Sequence, residues 1–323
     1  MLERKLAEKN KILEIISGSW LYGTANPQTS DKDYIGIFMP NIEYVLGFKK
    51  CEEVDFSIID KNKEGKNTEK ALDRKLYEFR KFITLAFNNN PNILEILFVN
   101  QDNIVFINNI GKELLDIRRL FPYKGLKERF LGYAFAQKHK MIIKKDNYLD
   151  LINGLDYLSK YDIGLTLLEI VICNKNNCPS FIKIIKSETK ENINFIGIGD
   201  LNFMPSTTIK NAKKKLSERL SKVGNRQDLL TKYGYDCKFG MHLIRLMMEG
   251  VELLQTGELK FPLKELGTLK DIREGKWPIN KVLDYSFELE KEIENLVKIS
   301  KLPDSPDVGF IEKFTIEKLR SIL

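Results

Sequence analysis

The sequence predicts a small α/β domain built on a mixed sheet, followed by a mainly helical domain: an α/β + α chain. Three observations carry that expectation. Short β-rich runs separated by loops crowd the first third of the chain, and long stretches with helical spacing fill the rest. With 323 residues, 43% of them apolar, there is also enough material for two domains of about 100–200 residues each. The expected boundaries are 1–110 for the first domain and 111–323 for the second.

Residues 2–11 have amphipathic helical spacing. Ile12-Leu13-Glu14-Ile15-Ile16 then reads as a strand that ends in the small residues Ser17-Gly18-Ser19. Tyr34-Ile35-Gly36-Ile37-Phe38 is a second strand, stopped by Pro40, and Val54–Ile59 a third, whose alternation favours one buried face. From Asp60 to Lys70 there is no apolar residue at all, so a solvated hairpin loop is expected. The chain re-enters at Leu72–Leu76 and runs into a helical pattern through Phe79, Phe82, Ile83, Leu85 and Ala86. Asn90-Pro91 reads as an N-cap with proline at the first helical position, opening a helix through Ile93, Leu94, Ile96 and Leu97. Helical patterns follow at 124–145, 161–173, 206–222, 236–256, 279–300 and 307–322. The interruption at 174–202 includes Phe181-Ile182-Lys183-Ile184-Ile185-Lys186-Ser187, which is strand-like.

Composition narrows the function classes. No apolar run approaches the roughly 20 residues of a membrane span, and the charged N-terminus has no apolar region behind it, so neither a span nor a secretory signal is expected. Four scattered cysteines (Cys51, Cys173, Cys178, Cys237) argue against a disulfide scaffold and for a reduced, cytoplasmic setting. Cys173 and Cys178, with only two histidines in the chain, have poor zinc spacing. The 52 basic and 45 acidic side chains leave +7, which permits a polyanionic partner without demanding one. Lys213, Lys214, Lys215, Arg219 and Lys222 form a basic helix face, which either follows a nucleic-acid backbone or is simply solvated.

The chemistry is concentrated in Gly18-Ser19-Trp20-Leu21-Tyr22-Gly23 and Ser30-Asp31-Lys32-Asp33-Tyr34-Ile35-Gly36. Asp31 and Asp33, two apart at a strand start, are expected on one face. Two carboxylates held together repel unless cations lie between them, the arrangement a Mg²⁺ pair needs. Gly-Ser between a strand end and a helix start offers backbone N–H groups and a hydroxyl to a phosphate. A third carboxylate is expected from a neighbouring strand. Asp73 sits where that strand would be, and Asp55 competes with it.

Within 236–256, Lys238, His242, Arg245 and Glu249 fall on one helical stripe while Met241, Leu243, Ile244, Leu246, Met247 and Met248 occupy the other sides. A helix apolar on most sides is buried, and its polar stripe must meet something wet or charged. Two readings satisfy it: donation from Lys238 and Arg245 to a triphosphate, or an internal ion network of Arg245 with Glu249 or Asp236. Lys232, Tyr235 and Asp236 are weaker candidates for the same cleft. Glu95, an acid in an apolar helix, is expected to orient Arg80 or Lys81, and His139 to be a surface or half-buried helix residue.

The Gly-Ser…Ser-Asp-x-Asp pattern resembles the signature of the DNA polymerase beta superfamily of nucleotidyltransferases. The blocks Leu72–Phe98, Leu120–Gln137 and Lys232–Pro262, with the closing Leu302-Pro303-Asp304-Ser305-Pro306-Asp307, are similar to one branch of it: the predicted nucleotidyltransferases associated with RNA repair pathways, frequent in bacteria and their phages. The resemblance covers about 1–140 and 230–310, and the stretch 147–229 matches no block of it. It implies a polymerase beta-like catalytic domain with Asp31, Asp33 and Asp73 as catalytic, metal-binding residues. Gly18, Ser19 and Ser30, with Lys238, His242 and Arg245, would bind the nucleotide. It implies two Mg²⁺ ions, with Mn²⁺ as a substitute, an NTP substrate bound in a cleft between the domains, and transfer to an acceptor hydroxyl such as an RNA or tRNA 3′ end. Nucleotidylation of a protein or a small molecule is the rival reaction. A non-catalytic nucleotide or RNA sensor is the rival class, against which the intact Asp31-x-Asp33 pair argues.

Overall fold

A computed structural model describes residues 2–28, 30–60, 62, 68, 70–174, 177–186, 194–221 and 232–321, the side chains of 143–145 and 186 excepted. Most of the hairpin loop expected between Asp60 and Lys70, and Lys222 of the basic face, lie outside the described residues.

The first elements are α1 (Leu2–Lys9), β1 (Lys11–Ser17), α2 (Ser19–Tyr22), β2 (Asp33–Phe38), α3 (Ile42–Val45), β3 (Glu53–Asp55) and β4 (Asp73–Glu78). Then come α4 (Phe79–Phe87), α5 (Pro91–Leu97), β5 (Ile104–Ile107), α6 (Asn109–Asp116), α7 (Leu126–Leu158) and α8 (Leu167–Cys173). A small sheet, β6 (Ile182–Lys186), β7 (Asn194–Ile198) and β8 (Leu201–Phe203), precedes α9 (Ile209–Ser221). The chain ends in α10 (Cys237–Thr256), α11 (Leu266–Arg273), α12 (Ile279–Ile299) and α13 (Val308–Arg320). Among the described residues no helix is long and apolar enough to cross a membrane.

Two compact units result. The first is formed by residues 1–136 together with 241–323, the second by 137–240. In the first unit a five-stranded mixed sheet has the order β3-β4-β2-β1-β5. β1 is antiparallel to β2 and β5, β2 is parallel to β4, and β3 is antiparallel to β4. Strand β1 is buried at Ile12, Leu13, Glu14 and Ile15, so it reads as a near-continuous apolar run and not as an alternating one. Its single acid is neutralised in place: Arg74 Nε donates to Glu14 Oε1 at 2.5 Å and Lys11 Nζ to Oε2 at 2.6 Å. Glycine is required at position 36, where an added Cβ would stand 2.5 Å from the Leu13 carbonyl oxygen.

Helix starts follow their caps. The Glu78 carboxylate accepts from Lys81 N at 3.0 Å to open α4, and Asn90 Oδ1 accepts from Asn92 N at 3.1 Å to open α5 ahead of Pro91. The third expected strand is regular only over Glu53–Asp55, because the Asp55 carboxylate accepts from Ser57 N at 2.7 Å and interrupts the ladder, which resumes as a single bridge between Ile58 and Leu72. The pattern at 124–145 continues as one helix to Leu158, and the one at 161–173 begins only at Leu167, where Thr166 and Glu169 form a capping box.

The second unit has its own core. Leu151, Leu158, Leu167, Ile198, Phe203 and Leu216 are buried together between helices and the antiparallel sheet β6-β7-β8. Burying each such side chain contributes roughly 1.5–3 kcal/mol before entropy is counted.

Candidate active site

The site is built at one end of the parallel pair β2 and β4. Asp33 and Asp73 are register partners, each the first residue of its strand. Register partners on adjacent strands sit on the same face, about 4.8 Å apart along the hydrogen-bonding direction. The two carboxylates therefore arise side by side although 39 intervening residues separate them in sequence. Asp73 is exposed and its Oδ1 accepts from Ser57 Oγ at 3.3 Å, while Ser57 Oγ itself accepts from Arg74 N at 3.2 Å. The competing acid, Asp55, lies opposite Lys75, two residues further along β4, and is engaged in the turn at Ser57, whose hydrogen bonds hold its carboxyl below the usual range. Asp31 precedes β2 by two residues and is exposed, so the alternation that would align it with Asp33 does not yet apply there.

Gly18 closes the site from the other side. It adopts φ +64°, and a Cβ on it would lie 2.6 Å from Asp33 Oδ2, so the Asp33 carboxylate occupies the space a side chain would need. Ser19 opens the single-turn helix α2, and its carbonyl accepts from Thr24 N and Ala25 N at 2.9 Å each. Trp20 ties that turn to the acidic segment: its indole Nε1 donates to the Asp31 carbonyl at 3.1 Å, and Lys32 Nζ lies 5.1 Å from the ring centroid. Ser30 Oγ accepts from Asn26 N at 2.9 Å, so the 26–30 turn closes on itself just before Asp31. Trp20, inside the segment the sequence marked, was given no role there, and Ser57 was not marked at all. Nothing in their local pattern signals that their partners are Asp31 and Asp73.

Oxygen donors of this kind suit a hard divalent ion such as Mg²⁺ or Mn²⁺. Among the described residues no three His, Cys, Asp or Glu side chains converge closely enough to hold an ion by themselves. An ion shared with a triphosphate needs only one or two carboxylates from the protein, which the pair Asp33 and Asp73 supplies, so the residues present fit the group.

Arg245 requires a correction. The structure does not turn it toward a phosphate; it buries the guanidinium at 3% exposure between two equally buried acids. Nη1 donates to Glu249 Oε1 at 3.0 Å and to Glu95 Oε1. The guanidinium carbon lies 4.2 Å from the Tyr22 ring centroid, and Tyr22 Oη donates to Glu95 Oε2 at 2.7 Å. Of the two readings of the stripe, the internal network is the one formed. Its second acid is Glu95, which does not orient Arg80 or Lys81: Arg80 pairs with Glu78 at 3.0 Å, and Lys81 with Glu52 at 2.6 Å. The physical reason is burial, since a guanidinium sealed among Met and Leu side chains needs a carboxylate more than a distant solvent-exposed anion does. Because Tyr22 ends the turn that Ser19 begins, the network anchors the Gly18–Ser19 segment from beneath.

One cation faces two acids there, so a buried negative charge remains unless a proton is taken up. Burial pushes the Glu249 carboxyl well above its ordinary value, against the pull of Arg245. A raised folded-state value means that stability is fully present below pH 4.5, the ordinary value, and is lost as pH rises toward the folded one. Glu249→Gln removes that loss. Its unfolding free energy relative to wild type, read by denaturant titration at a series of pH values above 4.5, is expected to rise with pH, at a limiting slope of about 1.4 kcal/mol per pH unit. A difference that stays flat with pH would contradict the protonated network.

The remaining residues are dispersed. His242 is half-buried on α10 of the first unit, whereas Lys238 belongs to the second unit, half-buried, with its backbone N–H donating to Asp236 Oδ1 at 3.0 Å. Asp236 and Tyr235 are buried, Lys232 and His139 are exposed. Cys51, Cys173, Cys178 and Cys237 are free thiols. On α9, Lys214 and Lys215 are exposed, while Arg219 pairs with Asp200 at 2.5 Å.

Residues 3–158 match the model of a family described as RNA repair pathway DNA polymerase beta family. An uncharacterised 38.9 kDa protein in the nrdC-mobD intergenic region of Enterobacteria phage T4 is 24% identical over 295 residues, which is 86% of this chain and 86% of that protein. No solved structure matches the chain. The matched family segment holds Gly18, Ser19, Asp31, Asp33 and Asp73 together with the Tyr22 and Glu95 that support them. Residues 3–158 are thus similar to the RNA repair pathway DNA polymerase beta family, and that likeness supports a place in the DNA polymerase beta superfamily of nucleotidyltransferases.

Proposed function

We propose that the protein is a divalent-metal-dependent nucleotidyltransferase that moves a nucleotide from an NTP to the 3′ hydroxyl of an RNA in a repair pathway. The observation that carries this reading is the meeting of Asp33 and Asp73 at paired strand starts, with Gly18 directly against the Asp33 carboxylate. Segment 1–110 then supplies the catalytic groups. Asp33 and Asp73 would hold Mg²⁺ or, in its place, Mn²⁺, with Asp31, two residues before the strand, as the third acid that the bound triphosphate and ion would draw in. Gly18, Ser19 and Ser30 hold the triphosphate through backbone N–H groups and hydroxyls. When bound, the ions offset the charge on the triphosphate and on the departing pyrophosphate.

The chain's own work is alignment. The acceptor oxygen forms a bond to the α-phosphorus as the bond from that phosphorus to the bridging oxygen of pyrophosphate breaks, in line with it. Asp73, steadied by the Ser57 hydroxyl, accepts the proton of the attacking hydroxyl. Such a reaction depends on positioning and charge, and this is why support of the Gly18–Ser19 turn by the Tyr22 network matters.

The test is incubation with each α-labelled NTP and Mg²⁺ in the presence of total RNA or of protein lysate. Label confined to nuclease-sensitive material is the expected result. Label confined to protease-sensitive material would replace the RNA acceptor by a protein, and NTP binding with no pyrophosphate release would leave only a sensor.

A further inference from the structure

A groove of about 500 Å³ opens in the first unit between residues 24–28 and the end of α11, where Lys270, Arg273 and Glu274 line it. One wall is the chain segment that joins α2 to Asp31. Thr24 and Ala25 hang from the Ser19 carbonyl at one end of it, and Asn26 is tied to Ser30 at the other. The opposite wall meets the same turn: Pro262 and Leu266 stand 2.9 and 3.2 Å from where a Cβ on Gly23 would be. The groove's Thr24 and Ala25 are thus hydrogen-bonded directly to Ser19, the residue next to the Gly18 that packs on Asp33.

Its chemistry is that of a polyanion track. Lys270 and Arg273 are exposed and three residues apart, which puts both cations on one face of α11. The facing wall offers the side-chain amides of Asn26 and Gln28, groups that donate to phosphate oxygens and exchange hydrogen bonds with ribose hydroxyls, while the Thr24 hydroxyl donates to the Ser19 carbonyl. The acid of the set, Glu274, is already met by Lys276 at 2.9 Å. An open, polar, cationic channel suits an extended phosphodiester strand better than a compact apolar molecule.

We infer that this groove binds the acceptor, with Lys270 and Arg273 holding the phosphodiester backbone of single-stranded RNA so that its 3′ end reaches Asp33 and Asp73. The inference rests on the nucleotidyltransferase reading for the destination of that end. The phosphates could belong instead to the NTP, and the test separates the two.

The full-length protein is titrated into a short fluorescein-labelled single-stranded RNA at several salt concentrations, and its melting temperature is read with and without Mg-ATP. Lys270→Glu/Arg273→Glu is expected to bind the RNA at least tenfold more weakly, with a salt slope lower by about 1.4 for two lost phosphate contacts. Its Mg-ATP shift should be retained. Lys5→Glu/Lys9→Glu, the same charge change on exposed positions of α1, should lower RNA affinity much less. Unchanged RNA affinity in the groove variant overturns the inference, as does an equal loss in the α1 variant, or loss of the Mg-ATP shift with RNA binding intact. Wild-type protein that responds to Mg-ATP and binds no RNA also overturns it, while leaving the nucleotidyltransferase reading standing. Groove-dependent RNA binding without incorporation of any NTP supports the groove and defeats that reading.

Discussion

Asp33→Ala is expected to lower nucleotide incorporation by about a thousandfold or more while the protein folds as before. The magnitude follows from position. Asp33 lies between the Gly18 backbone and Asp73, so its loss removes both a charge and the link between turn and ion site. Deleting one well-placed electrostatic group in a preorganised site costs about 10²–10³ in rate, and a metal ligand belongs at the severe end. Folding is spared because Asp33 begins its strand and is only half-buried, and its ladder bonds come from the backbone. Asp33→Asn keeps the packing against Gly18 and removes only the charge, so it should lose nearly as much. Steady-state incorporation of labelled nucleotide, with far-ultraviolet circular dichroism as the check on folding, measures both. A well-folded Asp33→Ala that incorporates nucleotide at close to the wild-type rate would end the catalytic assignment.

Arg245→Met is expected to destabilise the first unit by about 3–5 kcal/mol, the usual consequence of removing one partner from a buried ion pair. The substitution is close to isosteric, so packing alone would cost far less. What remains is the pair Glu95 and Glu249, buried at 3% and 0% exposure with no cation between them. Adding Glu95→Gln and Glu249→Gln to Arg245→Met should restore a large part of the loss, since neutral groups of the same shape no longer need a counter-charge. Denaturant unfolding of the single and triple variants provides the comparison. A single variant within about 1 kcal/mol of wild type, or a triple variant no better than the single, would show that the network is not what holds these helices.

Much of this architecture was readable one segment at a time. Asn90-Pro91 announces α5 because both residues act on their immediate neighbours, and β1 and β2 announce themselves by short apolar runs that end in small residues or proline. The Ser-Asp-x-Asp segment is legible for the same reason. Strand β5 was not, because Val105 and Phe106 are both exposed and leave no alternation to detect. The pairing of Asp33 with Asp73 is a property of strand register, which no local window contains. Arg245 shows the limit most directly. Its stripe on α10 fits a phosphate or an acid equally well, and the choice was made by Glu95, 150 residues earlier in the chain.

That separation governs the order in which the protein can come into being. The first unit is discontinuous: its sheet is complete by Ile107, yet the guanidinium that neutralises Glu95 is not synthesised until residue 245. While the ribosome is still making the second unit, the half-made first one carries a helix, α5, whose acid has no cation within reach. The closed Tyr22–Glu95–Arg245 network therefore waits on residue 245, and a fragment cut at the matched boundary would keep Asp33 and Asp73 but lack that guanidinium.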